Sequence, residues 1–234
     1  MNFNKTKEEI RANDSWQVQK VNSEMVQGFD ALSKVGSCVS IFGSARLKPE
    51  DPDYKLATEI AFKLGKKGYG VITGGGPGIM EASNKGAKEA GAPSIGVGIE
   101  LPFESGNNAY IDYDKNLQCD YFHVRKVMFL KYSQAFVCMK GGNGTLDELF
   151  EVVTLAQTGK TAKYPIFLVN SEYWGGLVDW MRNTMLAEGT ISESDFDLFR
   201  VVDTAEEVVE GFEKFFEKYR KENQLNSLSQ KEED

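Results

Sequence analysis

Residues 134–153 read QAFVCMKGGNGTLDELFEVV, and this stretch decides the fold class. Its first six residues are mostly apolar, which predicts a buried strand over 134–139. The glycines that follow favour a tight loop, and the apolar residues after them recur at helical spacing, which predicts a helix over 145–158. The stretch is therefore one strand–loop–helix unit of the kind that builds a parallel sheet.

The same alternation of strand and helix continues along the chain. Strands are predicted at 38–43, 69–73, 94–99, 134–139, 165–169 and 199–202, with a weaker one at 117–121. Helices are predicted at 15–34, 53–67, 78–90, 122–133, 145–158, 173–188 and 204–219. The strands are nearly all apolar, as in a sheet covered on both faces. We therefore expect an α/β protein with a Rossmann-like three-layer α/β/α fold and a mainly parallel, doubly wound sheet.

The two ends of the chain differ from its centre. Apolar residues at helical spacing, from Trp16 to Leu32, predict an amphipathic helix over 15–34, so residues 1–36 are interpreted as an N-terminal helical extension. Residues 37–220 are expected to form one Rossmann-like domain, because no Pro- or Ser-rich linker interrupts them. Residues 221–234 are polar and are expected to form a disordered tail.

Composition excludes several classes of protein. The chain has 27 basic and 35 acidic residues and a net charge of −8, so it lacks the basic surface of a protein that binds nucleic-acid polymers. Cys38, Cys119 and Cys138 form no CxxC pair and lie in apolar runs, which favours buried free thiols. No apolar run reaches the ~20 residues of a membrane span, and charges near the N-terminus argue against a signal peptide. We expect a cytoplasmic protein that does not bind membranes.

Three predicted strands end in small residues, at 43–45, 74–78 and 141–145, and the last two loops lead directly into helices. Backbone N–H groups and the helix dipole bind anions at such junctions, phosphate above all. A single glycine cluster is compatible with a mere tight turn, but two on one sheet favour a binding site. The GxGxxG pattern fails at Ile79, and no Walker pattern occurs. The sequence therefore lacks the motifs that usually indicate binding of NAD or ATP.

The second loop continues as Thr145-Leu146-Asp147-Glu148, which has two interpretations. T-x-x-E is the pattern of a helix capping box, in which Glu148 would return to the backbone. Alternatively, Glu148 lies beside the expected phosphate and takes part in chemistry. The same pattern occurs without glycines at 204–207, where capping alone is expected.

The helix over 122–133 is apolar almost all round, which predicts that it is buried, and Arg125 lies between its apolar residues. A buried arginine needs a partner, either a structural carboxylate or a phosphate or carboxylate of a ligand. Lys126 could bind the same anion or be solvated. His123, the single histidine, is interpreted as structural, and neither a Ser-His-Asp triad nor a metal site can be assembled.

Three segments together resemble a known family: GGGPGIMEA (74–82), VRKVMF (124–129) and GGNGTLDELFE (141–151). They are similar to the LOG family of cytokinin-activating nucleotide hydrolases, whose signature is PGGxGTxxE with an upstream RKxxM segment. The segments IELPFE, TGK and SEYWGGL resemble its longer bacterial branch, which often carries the label lysine decarboxylase. The resemblance covers roughly residues 36–212. No lysine lies in a recognisable pyridoxal-phosphate setting that would support that label.

The resemblance implies an enzyme that hydrolyses the N-glycosidic bond of a nucleoside 5′-monophosphate to a free base and ribose 5-phosphate. It places the catalytic arginine and glutamate at Arg125 and Glu148, with no metal or cofactor. The substrate-binding positions expected from the loops and the resemblance are Gly43, Ser44, Gly75, Gly76, Glu104, Lys126, Gly141, Gly142, Asn143, Gly144, Thr145, Leu146, Asp147 and Thr154.

The expected substrate is a purine-type nucleotide, either a cytokinin riboside monophosphate or AMP, and the family implies a homo-oligomer of two or more subunits. An alternative is a non-catalytic nucleotide-binding or carrier protein on the same fold. Lys140 favours that alternative, because it stands where the family signature has proline.

Overall fold

The computed structural model describes residues 7–99 and 106–232, and within them the side chains of 14–99 and 106–219. The strands are β1 (Cys38–Phe42), β2 (Gly70–Thr73), β3 (Ser94–Ile99), β4 (Asn116–Cys119), β5 (Ser133–Cys138), β6 (Ile166–Val169) and β7 (Arg200–Val202). They form one sheet in the order β4-β3-β2-β1-β5-β6-β7. Every neighbouring pair in this sheet is parallel, so the predicted sheet is confirmed, including its weakest strand.

The helices are α1 (Lys7–Leu32), α2 (Pro52–Lys66), α3 (Ile79–Ala90), α4 (Phe122–Tyr132), α5 (Asn143–Gln157), α6 (Ser171–Trp180) and α7 (Ala205–Glu232). All seven predicted helices are confirmed. Helix α6 ends earlier than predicted, because the chain continues as a π-helical stretch at Met181–Leu186. Helix α7 continues through most of the segment predicted as a polar tail.

Two apolar cores lie on opposite faces of the sheet. One contains Phe129 of α4, Leu149 of α5 and Trp174 of α6, and the other contains Leu64 of α2 and Phe212 of α7. Successive side chains of β1 alternate between these cores. Strands that are buried on both faces need largely apolar residues, which explains the apolar runs of β1, β2 and β6. The edge strand β4 is less buried and alternates polar and apolar residues. The three-layer α/β/α architecture is therefore confirmed.

The amphipathic pattern of α1 is only partly reflected in its packing. Leu32 is buried, but Trp16 and Val18 are exposed, so the first part of the predicted apolar face does not contact the core. Gly28 allows α1 to approach α4 closely, because a Cβ there would lie 2.7 Å from the sulfur of Met128.

The direction of winding reverses between β1 and β5. From β1 the chain proceeds to β2 on one side, and from β5 to β6 on the other, so the loops after β1 and β5 diverge and leave a crevice at the carboxyl edge. The two strands stay joined at that edge, since the Met139 N–H donates to the Phe42 carbonyl and the Ser44 N–H to the Lys140 carbonyl, both at 2.8 Å. The three loops of small residues follow β1, β2 and β5, which are neighbours in the sheet.

Candidate functional site

A cavity of about 1240 Å³ opens at this carboxyl edge. Both predicted catalytic residues and most of the predicted binding residues line it. They are Gly43, Ser44, Gly76, Arg125, Gly141, Gly142, Asn143, Gly144, Thr145 and Glu148. The sheet thus brings together segments that are about 100 residues apart in sequence.

The glycine loop at 141–144 leads into α5 at the cavity wall. The N-cap residue is Gly142, which offers no side chain to the first turn, so the positive end of the helix dipole faces the cavity without a side-chain cap. A Cβ at Gly141 would lie 2.5 Å from the Cβ of Thr145 and closer still to its hydroxyl, so only glycine fits there. The geometry suits an anion of phosphate size.

The T-x-x-E sequence at this loop does not form a capping box. Helix α5 begins at Asn143, so Thr145 already lies inside the helix, where it is buried. The Glu148 carboxylate pairs with Arg125 and Lys126 instead of returning to the backbone. The capping interpretation is therefore wrong for Glu148.

The second copy of the pattern does form the box. The Glu207 N–H donates to the Thr204 hydroxyl at 3.2 Å, and the Thr204 N–H donates to the Glu207 carboxylate at 3.0 Å. This confirms that residues 204–207 serve as a cap. Two identical local patterns thus have different partners, because only the first faces cationic side chains from another helix.

Arg125 reaches Glu148 from α4. Its Nη2 lies 3.5 Å from Oε1 of Glu148, and its guanidinium lies between the rings of Phe122 and Phe129, 5.2 and 5.6 Å from their centroids. The Nε atom is buried without a hydrogen-bond partner in the described part of the chain. Of the two expected partners, the structure shows the structural carboxylate, since Arg125 forms an internal ion pair with Glu148. A contact with a ligand stays a prediction.

The surroundings of α4 differ from the expectation in one respect. Val124, Met128 and Phe129 are buried, but Phe122 is about half exposed and lines the cavity. The prediction that α4 is buried on all sides is therefore wrong, because its first turn borders the open crevice.

Glu148 lines the cavity although only 4% of its side chain is exposed. Burial raises the pKa of its carboxyl group, and Lys126 and Arg125 oppose that rise because they favour the charged form. A carboxylate with a raised pKa next to a cavity is suited to accept a proton.

Lys126 binds three carboxylates: its Nζ lies 2.9 Å from Asp147, 3.6 Å from Glu148 and 2.8 Å from Glu151. Burial lowers the pKa of Lys126, but hydrogen bonds to Glu151 and Asp147 and the charge of Glu148 outweigh it, and the net shift is upward. Its ammonium group is thus cationic and occupied, and it does not line the cavity.

Several other predicted binding positions lie behind or away from the lining. Gly75 has a φ of +80°, and its carbonyl accepts a hydrogen bond from the Asn108 side chain. Leu146 packs against the core, Asp147 points to solvent beside Lys126, and Thr154 is exposed on α5. Glu104 falls outside the described residues. The roles assigned to these residues stay predictions.

Sequence reasoning missed several residues that line the cavity, namely Arg46, Met80, Asn107, Gln118, Phe129 and Tyr173. Tyr173 is the one with a clear structural task, because its hydroxyl donates to the Gly141 carbonyl at 2.5 Å. The segment SEYWGGL that contains Tyr173 is singled out in the sequence by its resemblance alone.

Among the described residues, no group of three His, Cys, Asp or Glu side chains could hold a metal ion, and no helix is long and apolar enough to cross a membrane.

A family model described as "Possible lysine decarboxylase" matches residues 80–212. The LOG4 cytokinin riboside 5′-monophosphate phosphoribohydrolase of Arabidopsis thaliana is 30% identical over 204 residues, which cover 84% of this chain and 88% of that protein. The cytokinin riboside 5′-monophosphate phosphoribohydrolase of Mycobacterium tuberculosis is 31% identical over 159 residues, 66% of this chain and 82% of that protein.

The fold also occurs in a solved structure of the molybdenum cofactor carrier protein of Chlamydomonas reinhardtii. That structure is 20% identical, has a TM-score of 0.56 and covers 77% of this chain and 98% of that one. A likeness at this identity concerns the fold alone. The family model and the two phosphoribohydrolases carry the assignment: the chain belongs to the LOG family.

Proposed function

We propose that this protein is a nucleoside 5′-monophosphate N-glycosidase, a phosphoribohydrolase that releases a purine-type base and ribose 5-phosphate. The proposed substrate is a cytokinin riboside monophosphate or AMP. The observation that carries the proposal is the position of Glu148, a buried carboxylate that lines the cavity one turn after the glycine loop and is held by Arg125. The relatives' names, cytokinin riboside 5′-monophosphate phosphoribohydrolase, agree with this reaction and substrate class.

In the proposed reaction, the bond between C1′ of the ribose and the base nitrogen breaks, and the electron pair leaves with the base. Positive charge develops on the ribose, and the Glu148 carboxylate in the cavity wall stabilises it. A water oxygen then bonds to C1′ while Glu148 accepts one proton of that water. Glu148 passes this proton on to the base nitrogen, directly or through solvent, which restores its carboxylate. No net oxidation or reduction occurs.

The glycine loop would hold the 5′-phosphate. The N-terminus of α5 offers backbone donors and a positive dipole end, and Arg125 retains one unpaired buried N–H. Binding energy from the phosphate, which does not itself react, would position C1′ against Glu148. The net charge of −8 therefore does not prevent the binding of a small anion, since the local groups are donors.

The alternative is a non-catalytic carrier, and the fold alone does not separate the two, because a carrier protein shares it. Lys140 favours a carrier because it stands where the family signature has proline, which loosens the backbone entry to the loop. Its ammonium group is held, however, since it lies 3.0 Å from the Asp53 carboxylate. A buried ion pair of arginine and glutamate facing the cavity is costly for a protein that only binds, which favours the enzyme.

The test is to incubate the purified protein with AMP and with isopentenyladenosine monophosphate and to measure free base by chromatography. We expect release by the wild type and a loss of at least about 100-fold in Glu148→Gln. Glu207→Gln is the matched control, because it changes the glutamate of the other T-x-x-E pattern, and it should retain full release. Nucleotide binding without any base release would support the carrier and refute the proposed hydrolase.

A further inference from the structure

Lys140 enters the glycine loop at the position where the family signature has proline. Proline fixes the backbone φ angle, whereas lysine leaves the entry to the loop free to vary. The Lys140 side chain is only one-third exposed, and its Nζ lies 3.0 Å from Oδ2 of Asp53. Asp53 belongs to the first turn of α2 and is almost fully buried.

The other oxygen of Asp53 is bound as well. The Asn170 side-chain amide donates to Oδ1 of Asp53 at 3.1 Å, and its own oxygen accepts the Tyr173 N–H at 3.0 Å. Asn170 has a φ of +90°, the one positive φ outside glycine in the described chain. A non-glycine residue with a positive φ angle carries a conformational free-energy cost. The hydrogen bonds by which Asn170 caps α6 and binds Asp53 offset that cost.

Tyr173 links Asn170 to the glycine loop, since the Tyr173 hydroxyl donates to the Gly141 carbonyl at 2.5 Å. Asp53, Lys140, Gly141, Tyr173 and Asn170 thus form a closed ring of contacts, which we call the loop clamp. The clamp joins α2, the β5–α5 loop and α6. It binds the loop entry at two successive residues, one through its side chain and one through its carbonyl.

We propose that Asp53 is a positioning residue that fixes the glycine loop through Lys140 and so replaces the constraint that proline supplies elsewhere in the family. The inference rests on the proposed function for its effect on catalysis, but the loop geometry itself can be measured independently. A partly buried ion pair with two satisfied oxygens restricts a long side chain, and the loop entry is restricted with it.

The test is a set of full-length variants: Asp53→Asn alone, Lys140→Pro alone, Lys140→Met alone, and Asp53→Asn combined with each Lys140 change. Amide hydrogen exchange over 140–146 reports loop order without any substrate. We expect Asp53→Asn and Lys140→Met each to raise the exchange rate there about three- to tenfold. Lys140→Pro should leave it near the wild-type rate, because proline restores the backbone constraint.

The combined variants decide whether Asp53 acts through Lys140. Adding Asp53→Asn to Lys140→Pro or to Lys140→Met should raise exchange no further, because the ion pair is already absent. Asp112→Asn is the control, because Asp112 pairs with a lysine as Asp53 does, but it accepts the Ser94 N–H at the amino end of β3. It should leave exchange at 140–146 unchanged.

A ligand readout separates positioning from general destabilisation. Asp53→Asn should weaken binding of ribose 5-phosphate and raise the KM for AMP about three- to tenfold while kcat changes less, and Lys140→Pro should cancel the loss. Equal effects of Asp53→Asn in all three backgrounds, or unchanged exchange in Asp53→Asn alone, would overturn the proposal. If neither the wild type nor any variant releases base, the proposed hydrolase activity is refuted. The hydrogen-exchange data would then decide by themselves whether Asp53 fixes the loop through Lys140.

Discussion

Nη2 of Arg125 lies 3.5 Å from Oε1 of Glu148, and this contact joins the fourth residue of α4 to the sixth residue of α5 at the cavity wall. The separation is long for a charge-assisted hydrogen bond, so each group retains capacity for a ligand. The carboxylate is buried, and the cation lies within 5.6 Å of the centroids of two phenylalanine rings. The pair is thus fixed in orientation while one of its donors stays unused.

The free energy of unfolding should respond to pH through Glu148. Its pKa is raised in the folded protein from an ordinary value of 4.5, so the native state binds more protons than the unfolded state above that pH. The contribution of Glu148 to stability is therefore greatest at low pH and is lost as pH rises through the folded pKa. Urea unfolding of the wild type and Glu148→Gln between about pH 5 and 8 measures it.

We expect the unfolding free energy of the wild type, relative to Glu148→Gln, to fall as pH rises. A difference that is constant or that grows with pH would contradict the raised pKa. The same shift predicts that the acidic limb of the pH–rate profile for base release lies above the range of an ordinary glutamate.

Arg125→Lys should reduce base release by about tenfold or more, because lysine keeps the charge but loses the planar fork that stacks on the rings and reaches Glu148. Arg182→Lys is the matched control. Arg182 lies 4.3 Å from the centroid of Phe196 and pairs with Glu193 at 2.8 Å, but it is remote from the cavity lining. Equal activity of the two variants would show that the fork of Arg125 is not needed.

Gly141→Ala should lower the free energy of unfolding by about 1–3 kcal/mol, because the added methyl overlaps the buried Thr145 side chain. Gly144→Ala gives the contrast. Among the described residues, no atom lies within 4 Å of a Cβ built there, and the residue is helical, so stability should be unchanged or slightly higher. Urea denaturation of both variants measures the difference, and equal stabilities would contradict the packing argument.

The three thiols should be unreactive in the native protein. Cys38, Cys119 and Cys138 are buried and free, which confirms the expectation drawn from their apolar surroundings. Burial raises the pKa of Cys38 to about 12 and that of Cys119 to about 11, and it raises the pKa of Cys138 as well. A thiol-specific disulfide reagent should label them rapidly only after denaturation, and fast labelling of the native protein would contradict this.

Local sequence was sufficient for the secondary structure and for the edge where the site lies. A strand that is buried on both faces appears in the sequence as a nearly continuous apolar run. A helix that begins after a glycine loop appears as a cluster of glycines followed by a helical pattern. The run from Gln134 to Val153 contains both signals. Local patterns also singled out Arg125, within an apolar helix, and Glu148, after the glycine loop, and the family resemblance added the catalytic roles expected of them.

What the sequence could not determine depends on contacts between distant segments. Thr145–Glu148 and Thr204–Glu207 read alike, and only the position of α4 beside α5 gives Glu148 its cationic partners.

The loop clamp has the same origin, since Asp53 and Asn170 are 117 residues apart and meet because β1, β5 and β6 are neighbours in the sheet. Secondary-structure propensity and hydrophobic periodicity depend on residues that are only a few positions apart. The order of the strands decides which distant side chains meet at the same buried edge of the sheet, where the dielectric constant is low. The sequence by itself therefore determined the elements and the glycine loop that precedes α5, and the tertiary structure decided which charges meet there.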